Sequence, residues 1–488
     1  MTFKNTTEQE KIINYTGHRL VVKAFAGAGK TSTLVSFAKK NPHVRFLYIA
    51  YNTAIKNEAS KKFPNNVECK TSHGLAYAKY GKIYKDQNKL KPNIRLRDIA
   101  PVLGMQDYRF LNLVNETLHN YLNSSNLDIM PGHIPQIPGE NPVLTEKELG
   151  ERKAIVAATA YLWKVMKDPG NNVPISHDGY LKMFQLSKPN LSRKYSAILV
   201  DEAQDITPVV NSILLDQACH LIYVGDPHQQ IYRWRGAENA MDYKELENAD
   251  RLNLTNSFRF GQQIAYIANC ILNLKGENIK INGLAANDNV YTLMSSYREL
   301  LNAKQVTILS RTVSGVILSA FEQARKNKKI FWIGGINNYP LFLMEDIYWL
   351  YKGQNNKIKD KMLFNDFPSY YLYKNFGEAT SNWEIIRNCK FVEDYDEQIP
   401  VLLGSLSSNH CSDIKSADVV VSTVHRAKGL EFENVIMAED FPDVLALENT
   451  PVKFHDELNL LYVAATRATK NLVINSITEE IVRDYLCY

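Results

Sequence analysis

The sequence has no long hydrophobic run. Nowhere in its 488 residues does a stretch approach the about 18 apolar residues that a membrane-spanning helix needs. The opening "MTFKNTTEQEKI" lacks the apolar segment of a secretory signal. These absences predict a soluble, cytosolic protein with no membrane partner. Cysteine is scarce: Cys69, Cys219, Cys270, Cys389, Cys411 and Cys487, with no C-x-x-C pair among them. The spacing argues against a zinc or iron–sulfur site and for small core hydrophobes in a reducing compartment. Internal repeats and low-complexity tracts are missing as well. So is a strong charge of one sign: the net charge of +5 permits an anionic partner without arguing for one.

What is present is an ordinary globular composition, 45% hydrophobic and 22% charged, with ample chain for several cores. Short apolar runs recur, each followed by a polar, glycine-bearing turn. They are "RLVVKA", "RFLYIA", "AILV", "HLIYVG", "QVTIL", "DVVVST", "NVIM" and "NLVI". Such runs between helical stretches predict buried parallel strands in α/β units. They form two sets, one over residues 20–255 and one from 290 onward. Residues 81–190 are helical in character and carry the loop-like "PGHIPQIPGENP". Residues 345–415 are aromatic and mixed in charge. Both read as insertions into α/β lobes.

The first chemistry lies in "AFAGAGKT". Gly29, Lys30 and Thr31 match the end of G-x-x-x-x-G-K-[ST], with Ala24 in place of the first glycine. Small residues here let backbone N–H groups wrap phosphate at a helix N-terminus. Ala26, Gly27, Ala28, Gly29 and Ser32 complete the loop. Lys30 suits the β and γ phosphates of ATP, and the Thr31 hydroxyl suits Mg2+. Hydrolysis also needs a metal-holding acid and a base. "AILVDEAQD" offers Asp201 at the end of an apolar strand as metal ligand and Glu202 beside it as general base.

"LVDEAQD" followed by "YVGDPHQQIYRWRGA" resembles the UvrD/Rep/PcrA group of superfamily 1 DNA helicases. "TTEQEKII", "AYNTAIKNEA", "TSHG", "LTNSFRFG", "VSTVHRAKGLEF" and "NLLYVAATRA" resemble the group's other motifs, in order. "AFAGAGKTSTL" and "CKTSHGLAYA" are similar to the F-box DNA helicase branch. No F-box fits ahead of a loop that begins by residue 24, so a ubiquitin-ligase role is not expected. About twenty residues follow "TRA", too few for a fused nuclease domain.

The resemblance implies two RecA-like P-loop NTPase lobes with parallel sheets. Lobe 1 would hold residues 1–80 and 191–255, interrupted by a helical insertion at 81–190. Lobe 2 would hold 256–344 and 416–488, with a short insertion at 345–415. It also implies roles. Gln9 would read adenine and Phe258 would stack on it. Gln229 would sense the γ-phosphate. Glu431 would bond the ribose. Arg259 and Arg467 would act as arginine fingers, a device that can contribute about 10³ to 10⁵ in rate. Hydrolysis would open and close the cleft between lobes and move a gripped single strand 3′ to 5′.

For the strand itself, "YRWRG" offers Tyr232, Trp234 and Arg235. Aromatic faces stack on any base, worth about 1–3 kcal/mol each. Tyr51, Asn52, Thr71, His73, Thr423 and His425 match family positions near DNA. Single-stranded DNA and single–double strand junctions are the implied partners. Residues 76–98 interleave Tyr77, Tyr80 and Tyr84 with basic residues, a pattern that fits duplex binding or a solvated helix surface. Lys428 stands where the RNA-helicase branch tends to carry glutamine. A further reading is a nucleotide-dependent adaptor, or a protein-displacing translocase, in a repair or defence complex with a protein partner.

Overall fold

The structure, a computed structural model, describes residues 5–136, 144–292, 300, 304–379 and 382–486. The chain divides into two compact units. One holds residues 1–24 and 29–254; the other holds 255–488 together with Phe25–Ala28.

The first unit is built on six strands: β1 (Arg19–Ala24), β2 (Phe46–Ala50), β3 (Val67–Thr71), β4 (Ala197–Val200), β5 (His220–Gly225) and β6 (Asp250–Leu254). They lie in the order β3-β2-β4-β5-β1-β6, and every pairing is parallel. The register sets Val22 opposite Val224 and Leu199 opposite Ile222. Helices cover a parallel sheet on both faces, so its inner strands are mostly apolar and buried. Ile198, Leu199 and Val200 are fully buried, each stabilising the fold by about 1.5–3 kcal/mol.

Between β3 and β4 the chain is helical. Its longer helices are Leu96–Leu103, Tyr108–Asn123, Glu146–Lys167 and His177–Leu186. Among the described residues of 81–190, sheet-like pairing is limited to one bridge, Leu90 to Ile175. Leu111, Val114, Leu118 and Leu122 follow a helical spacing and are all buried. They share one core with Val21, Leu47 and Ile198 of the sheet. The helix starts are capped. Asp107 accepts from Phe110 N at 3.1 Å, and Thr145 and Glu148 form a capping box, each such cap worth about 1 kcal/mol.

The second unit repeats the plan with β9 (Asn289–Tyr291), β10 (Val306–Ser310), β11 (Ile330–Trp332), β12 (Val419–Thr423), β13 (Phe432–Met437) and β14 (Ala468–Val473). Their order is β11-β12-β10-β13-β14-β9, again all parallel. A two-strand ribbon, β7 (Asn256–Ser257) and β8 (Asn282–Gly283), stands beside it. Helices Leu341–Tyr351, Tyr370–Ala379, Trp383–Tyr395 and Ile399–Ser408 occupy most of 345–415. Ile347, Phe391, Leu402 and Leu406 join the core of this sheet with Val306 and Trp332.

The α/β fold with two parallel sheets is the one the sequence predicts, and all eight apolar runs are strands. Six strands were not foreseen: the ribbon strands β7 and β8, and β3, β6, β9 and β11 of the two larger sheets. Each is the edge of its sheet. β3, β6 and β9 carry polar or exposed residues, as edge strands do, and β11 is apolar but only three residues long.

Among the described residues no helix is long and apolar enough to cross a membrane. Cys69, Cys219, Cys270 and Cys389 are buried free thiols and Cys411 is half-buried, which fits packing rather than ligation; Cys487 lies outside the described residues.

Candidate active site

Three neighbouring strands converge on one place. β4, β5 and β1 lie side by side and parallel, so the residues that follow them emerge at the same edge. These are Asp201 after β4, Asp226 after β5 and the glycine-rich loop after β1. The carboxyl edge of a parallel sheet is where such folds bind ligands.

The loop leads into the helix Lys30–Lys40. Gly29 is its N-cap with φ 75°, a left-handed conformation that favours glycine. The first-turn N–H groups of this helix have no intrahelical acceptor, an arrangement suited to an anion such as phosphate. Ser32 Oγ and Thr33 Oγ1 bond the Gly29 carbonyl at 2.8 and 2.9 Å. Gln9 is buried. Its Nε2 donates to Thr33 Oγ1 at 3.1 Å, and its Oε1 accepts from Thr6 N at 3.0 Å. The residue assigned to adenine therefore also braces the phosphate-loop helix.

Lys30 Nζ lies 2.9 and 3.0 Å from the two oxygens of Glu202. The candidate phosphate lysine and the candidate base thus hold each other. Burial disfavours the ammonium charge of Lys30, but Glu202, Asp201 and Asp226 outweigh it and raise the pKa. Glu202 itself adopts φ 51°, uncommon for a residue other than glycine and a form of strain that clusters at functional sites.

Asp201 Oδ2 accepts from Thr31 Oγ1 at 2.9 Å and from Tyr48 OH at 2.7 Å. Burial, then the Glu202 charge, raise the Asp201 pKa; burial, then Asp201, raise that of Tyr48. Thr31 and Asp201 fit magnesium. Both offer hard oxygen donors, and their 2.9 Å spacing matches the separation of about 2.9 Å between adjacent ligands of an octahedral ion bound at about 2.05 Å.

Gln204 was missed at the sequence level, although it stands inside "DEAQD". Its Nε2 donates to Glu202 Oε2 at 2.6 Å, and its Oε1 accepts from Asp226 N at 3.0 Å. Asp226 Oδ2 in turn accepts from Gln229 Nε2 at 2.7 Å. Gln230 Nε2 donates to the Gln204 carbonyl at 3.0 Å. A continuous hydrogen-bonded chain therefore runs from Lys30 through Glu202, Gln204 and Asp226 to Gln229.

That chain ends where the loop of Tyr232 and Trp234 begins. A cavity of about 600 Å³ opens there, and Tyr51, Asn52, His73, Tyr232 and Trp234 all line it. Tyr51 and Tyr232 stack with ring centroids 5.3 Å apart and planes 15° apart. Trp234 is 66% exposed, so it is not a core residue. Asn52 Oδ1 caps the helix Thr53–Lys62 by accepting from Ile55 N at 2.9 Å. Thr71 caps the next helix, accepting from Gly74 N at 3.0 Å. The side chain of Arg235 lies outside the described residues.

Asp178, His119 and Asn123 also line this cavity and were not foreseen. They come from two helices of the insertion, and no local pattern marks them. Asp178 Oδ1 accepts from His73 Nε2 at 3.0 Å. Burial opposes ionisation of Asp178, but His73 prevails and its pKa is lowered.

Of the tyrosines of residues 76–98, Tyr84 is withdrawn into the core, while Tyr77 and Tyr80 are half-buried against it. Tyr84 is buried and donates to the Lys167 carbonyl at 2.7 Å. Tyr77 meets Tyr180 edge-on. Packing holds these rings wholly or in part, while Lys79, Lys82 and Lys85 stay exposed.

In the second unit, Arg259 bonds Glu431 at 2.7–2.8 Å and the Thr466 carbonyl at 2.9 Å. Arg467 is 1% exposed and donates to the carbonyls of Val463 and Leu430 at 3.0 and 3.1 Å. Its guanidinium organises this unit as well as being a candidate finger. Phe258 is half-buried, and its N–H donates to the Gly27 carbonyl at 2.9 Å. Ala26 N donates to Tyr462 OH at 3.1 Å, and Ala28 N to the Phe25 carbonyl at 3.1 Å. Thr423 is buried and caps the short helix Val424–Ala427, where His425 is half-buried.

Comparison with known proteins matches both units. The UvrD/REP helicase N-terminal domain family matches residues 178–249, and the UvrD-like helicase C-terminal domain family matches 381–479. F-box DNA helicase 1 of Gallus gallus is 35% identical, over 98% of this chain and 50% of that protein. F-box DNA helicase protein 1 of Schizosaccharomyces pombe is 32% identical, over 96% of this chain and 57% of that protein. Gabija protein GajB of Bacillus cereus is 25% identical, over 60% of this chain and 66% of that protein. The chain thus spans about half the length of the F-box DNA helicases it matches. With family matches in both units and similarity along nearly its whole length, the chain belongs to the UvrD/Rep-like superfamily 1 helicases, close to their F-box helicase branch.

Proposed function

We propose that this protein is an ATP-dependent DNA helicase or single-stranded DNA translocase that moves 3′ to 5′. The observation that carries the proposal is the hydrogen-bonded chain from Lys30 to Gln229. It joins the nucleotide loop to the loop bearing Tyr232 and Trp234. A motor needs this link: the state of the phosphate site has to alter the grip on the strand.

Each residue has a role in that reading. Lys30 and the loop amides hold the phosphates of ATP. Thr31 and Asp201 hold magnesium, which neutralises developing charge on the phosphates when bound. Glu202 leaves Lys30 and takes a proton from the attacking water. Gln204 passes the change to Asp226, and Gln229 senses it. Arg259 and Arg467 act as fingers, Phe258 and Gln9 hold adenine, and Glu431 holds ribose. Thr423 and His425 grip the strand from the second unit.

The test is ATPase rate with and without single-stranded DNA or RNA, followed by unwinding of matched duplexes tailed at one end. DNA-stimulated turnover and faster opening of the 3′-tailed duplex are expected. Faster opening of the 5′-tailed duplex overturns the polarity. The second reading, an adaptor or protein-displacing translocase in a repair or defence complex, is favoured by the similarity to a Gabija protein. An unstimulated ATPase points to the adaptor. Stimulation without unwinding points to protein displacement.

A further inference from the structure

Asp201 accepts three hydrogen bonds. Thr31 Oγ1 and Tyr48 OH donate to its Oδ2 at 2.9 and 2.7 Å, and Glu202 N donates to its Oδ1 at 2.9 Å. Thr31 and Glu202 belong to motifs with a nucleotide role. Tyr48 does not. It stands in the middle of β2, "FLYIA", just ahead of "AYNTAIKNEA". Its side chain is fully buried, and its ring packs on Phe63 with centroids 4.7 Å apart. A buried phenol needs an acceptor for its O–H. Here that acceptor is the carboxylate proposed to hold magnesium.

From this we infer that Tyr48 is a positioning residue that makes the site selective for Mg2+ over the larger Ca2+. The inference rests on the reading of Thr31 and Asp201 as the metal-holding pair and deepens it. A carboxylate can swing about its Cα–Cβ and Cβ–Cγ bonds. With a phenol fixed on one oxygen and a backbone amide on the other, Asp201 keeps one orientation. Mg2+ demands near-ideal octahedral geometry at about 2.0–2.1 Å, whereas Ca2+ takes about six to eight oxygens at about 2.3–2.6 Å in a flexible shell. A fixed oxygen therefore serves Mg2+, while a swinging one suits Ca2+ as well. Outer hydrogen bonds of this kind orient a metal's ligands, and losing one costs about 10- to 100-fold in metal affinity.

The surroundings suit Tyr48 to this task. β2 is paired on both sides, with β3 and with β4, so a rigid element carries the ring. The register sets Tyr48 opposite Leu199, two residues ahead of Asp201 in the neighbouring strand. Sheet geometry, not a loop, thus sets the reach of the hydroxyl. A tyrosine hydroxyl keeps its proton at neutral pH, so it stays a donor. Asp201 is only 3% exposed, which leaves little access for water to stand in for the phenol.

The test is equilibrium binding of a fluorescent ATP analogue to the full chain, in EDTA and in titrations with free Mg2+ or Ca2+. Tyr48→Phe keeps the ring and removes the O–H. It should raise the Mg2+ concentration for half-maximal tightening by about 10- to 100-fold and move the Ca2+ midpoint far less. Binding in EDTA should not change. Asp201→Asn, which removes the charged ligand itself, should blunt the response to both ions. An unchanged Mg2+ midpoint in Tyr48→Phe overturns this inference alone. So do equal shifts for the two ions, which would make the phenol a general brace. So does weaker binding in EDTA, which would place its effect on the fold or on the nucleotide. An ion response absent from the wild type, or kept in full by Asp201→Asn, overturns the metal-site reading and this inference with it.

Discussion

Substituting Glu202 by glutamine separates the ion pair seen with Lys30 from the general-base role proposed for the same side chain. The Glu202 carboxylate holds Lys30 at 2.9 and 3.0 Å, with side chains only 20% and 12% exposed. ATP has to take Lys30 away from that partner. A hydrogen bond to a charged group is worth about 1.5–3 kcal/mol, so removing the competitor favours ATP. Asp201 and Asp226 still attract Lys30, which sets the gain at the low end, about tenfold in Kd. Glutamine keeps the shape and still accepts from Gln204, which now sits 2.6 Å from Glu202, but it takes up no proton. Loss of a general base costs about 10² to 10⁴ in rate. Glu202→Gln should therefore bind ATP more tightly while its single-turnover hydrolysis falls by that factor. Equilibrium binding of a fluorescent ATP analogue and rapid-quench hydrolysis measure the two separately. Weaker ATP binding with near-normal hydrolysis would refute the reasoning, because it would make the Lys30–Glu202 pair a structural brace.

Lys30→Ala should abolish turnover and leave nucleotide-free strand binding largely intact, since the strand cavity does not include Lys30; normal ATPase in this variant would remove the site assignment. Trp234→Ala should weaken single-strand binding by about 1–3 kcal/mol and lower the DNA-stimulated ATPase far more than the basal rate. Because Trp234 is 66% exposed, the melting temperature should hardly change, and a large drop would mark it as a packing residue. Lys182 gives a pH prediction: it is fully buried, bonds the carbonyls of Ser124 and Asn126, and burial lowers its pKa from 10.5 to about 8. Between those values the unfolded chain binds the extra proton, so stability rises with pH, by about 2 kcal/mol from pH 7.5 to 9.5 at 1.36 kcal/mol per unit. Urea unfolding should show this rise in the wild type and lose it in Lys182→Met; an equal rise in both would refute the assignment.

The inner strands of both sheets were legible because burial on two faces demands unbroken apolar runs such as "AILV" and "HLIYVG". The edges were not. "VECKT" (β3) and "DRLNL" (β6) alternate polar and apolar residues over a few positions, a pattern that loops share. Residues 345–415 were opaque for a related reason. Their helices Tyr370–Ala379 and Trp383–Tyr395 are rich in aromatic and β-branched residues, which have weak helix propensity. Contact with the core around Trp332 and Ile347 decides their conformation, and no local signal records it.

The candidate nucleotide site and the candidate strand cavity differ in legibility for a geometric reason. Lys30, Thr31, Asp201 and Glu202 follow strands that lie close together at one sheet edge, so strand-then-motif order in the sequence suffices to bring them together. The strand cavity is closed from the other side by helices of residues 81–190, whose packing on the sheet is a tertiary matter. His119 and Asp178 stand nearly sixty residues apart on two of those helices, with no motif around either. His73 was visible in "TSHG", but the carboxylate it bonds was not. A motif scan therefore finds the aromatic residues and misses the Asp178 carboxylate that bonds His73 on the same cavity wall. General stacking is encoded locally, in "YRWRG". The polar wall of His119, Asn123 and Asp178 comes only with the folded insertion.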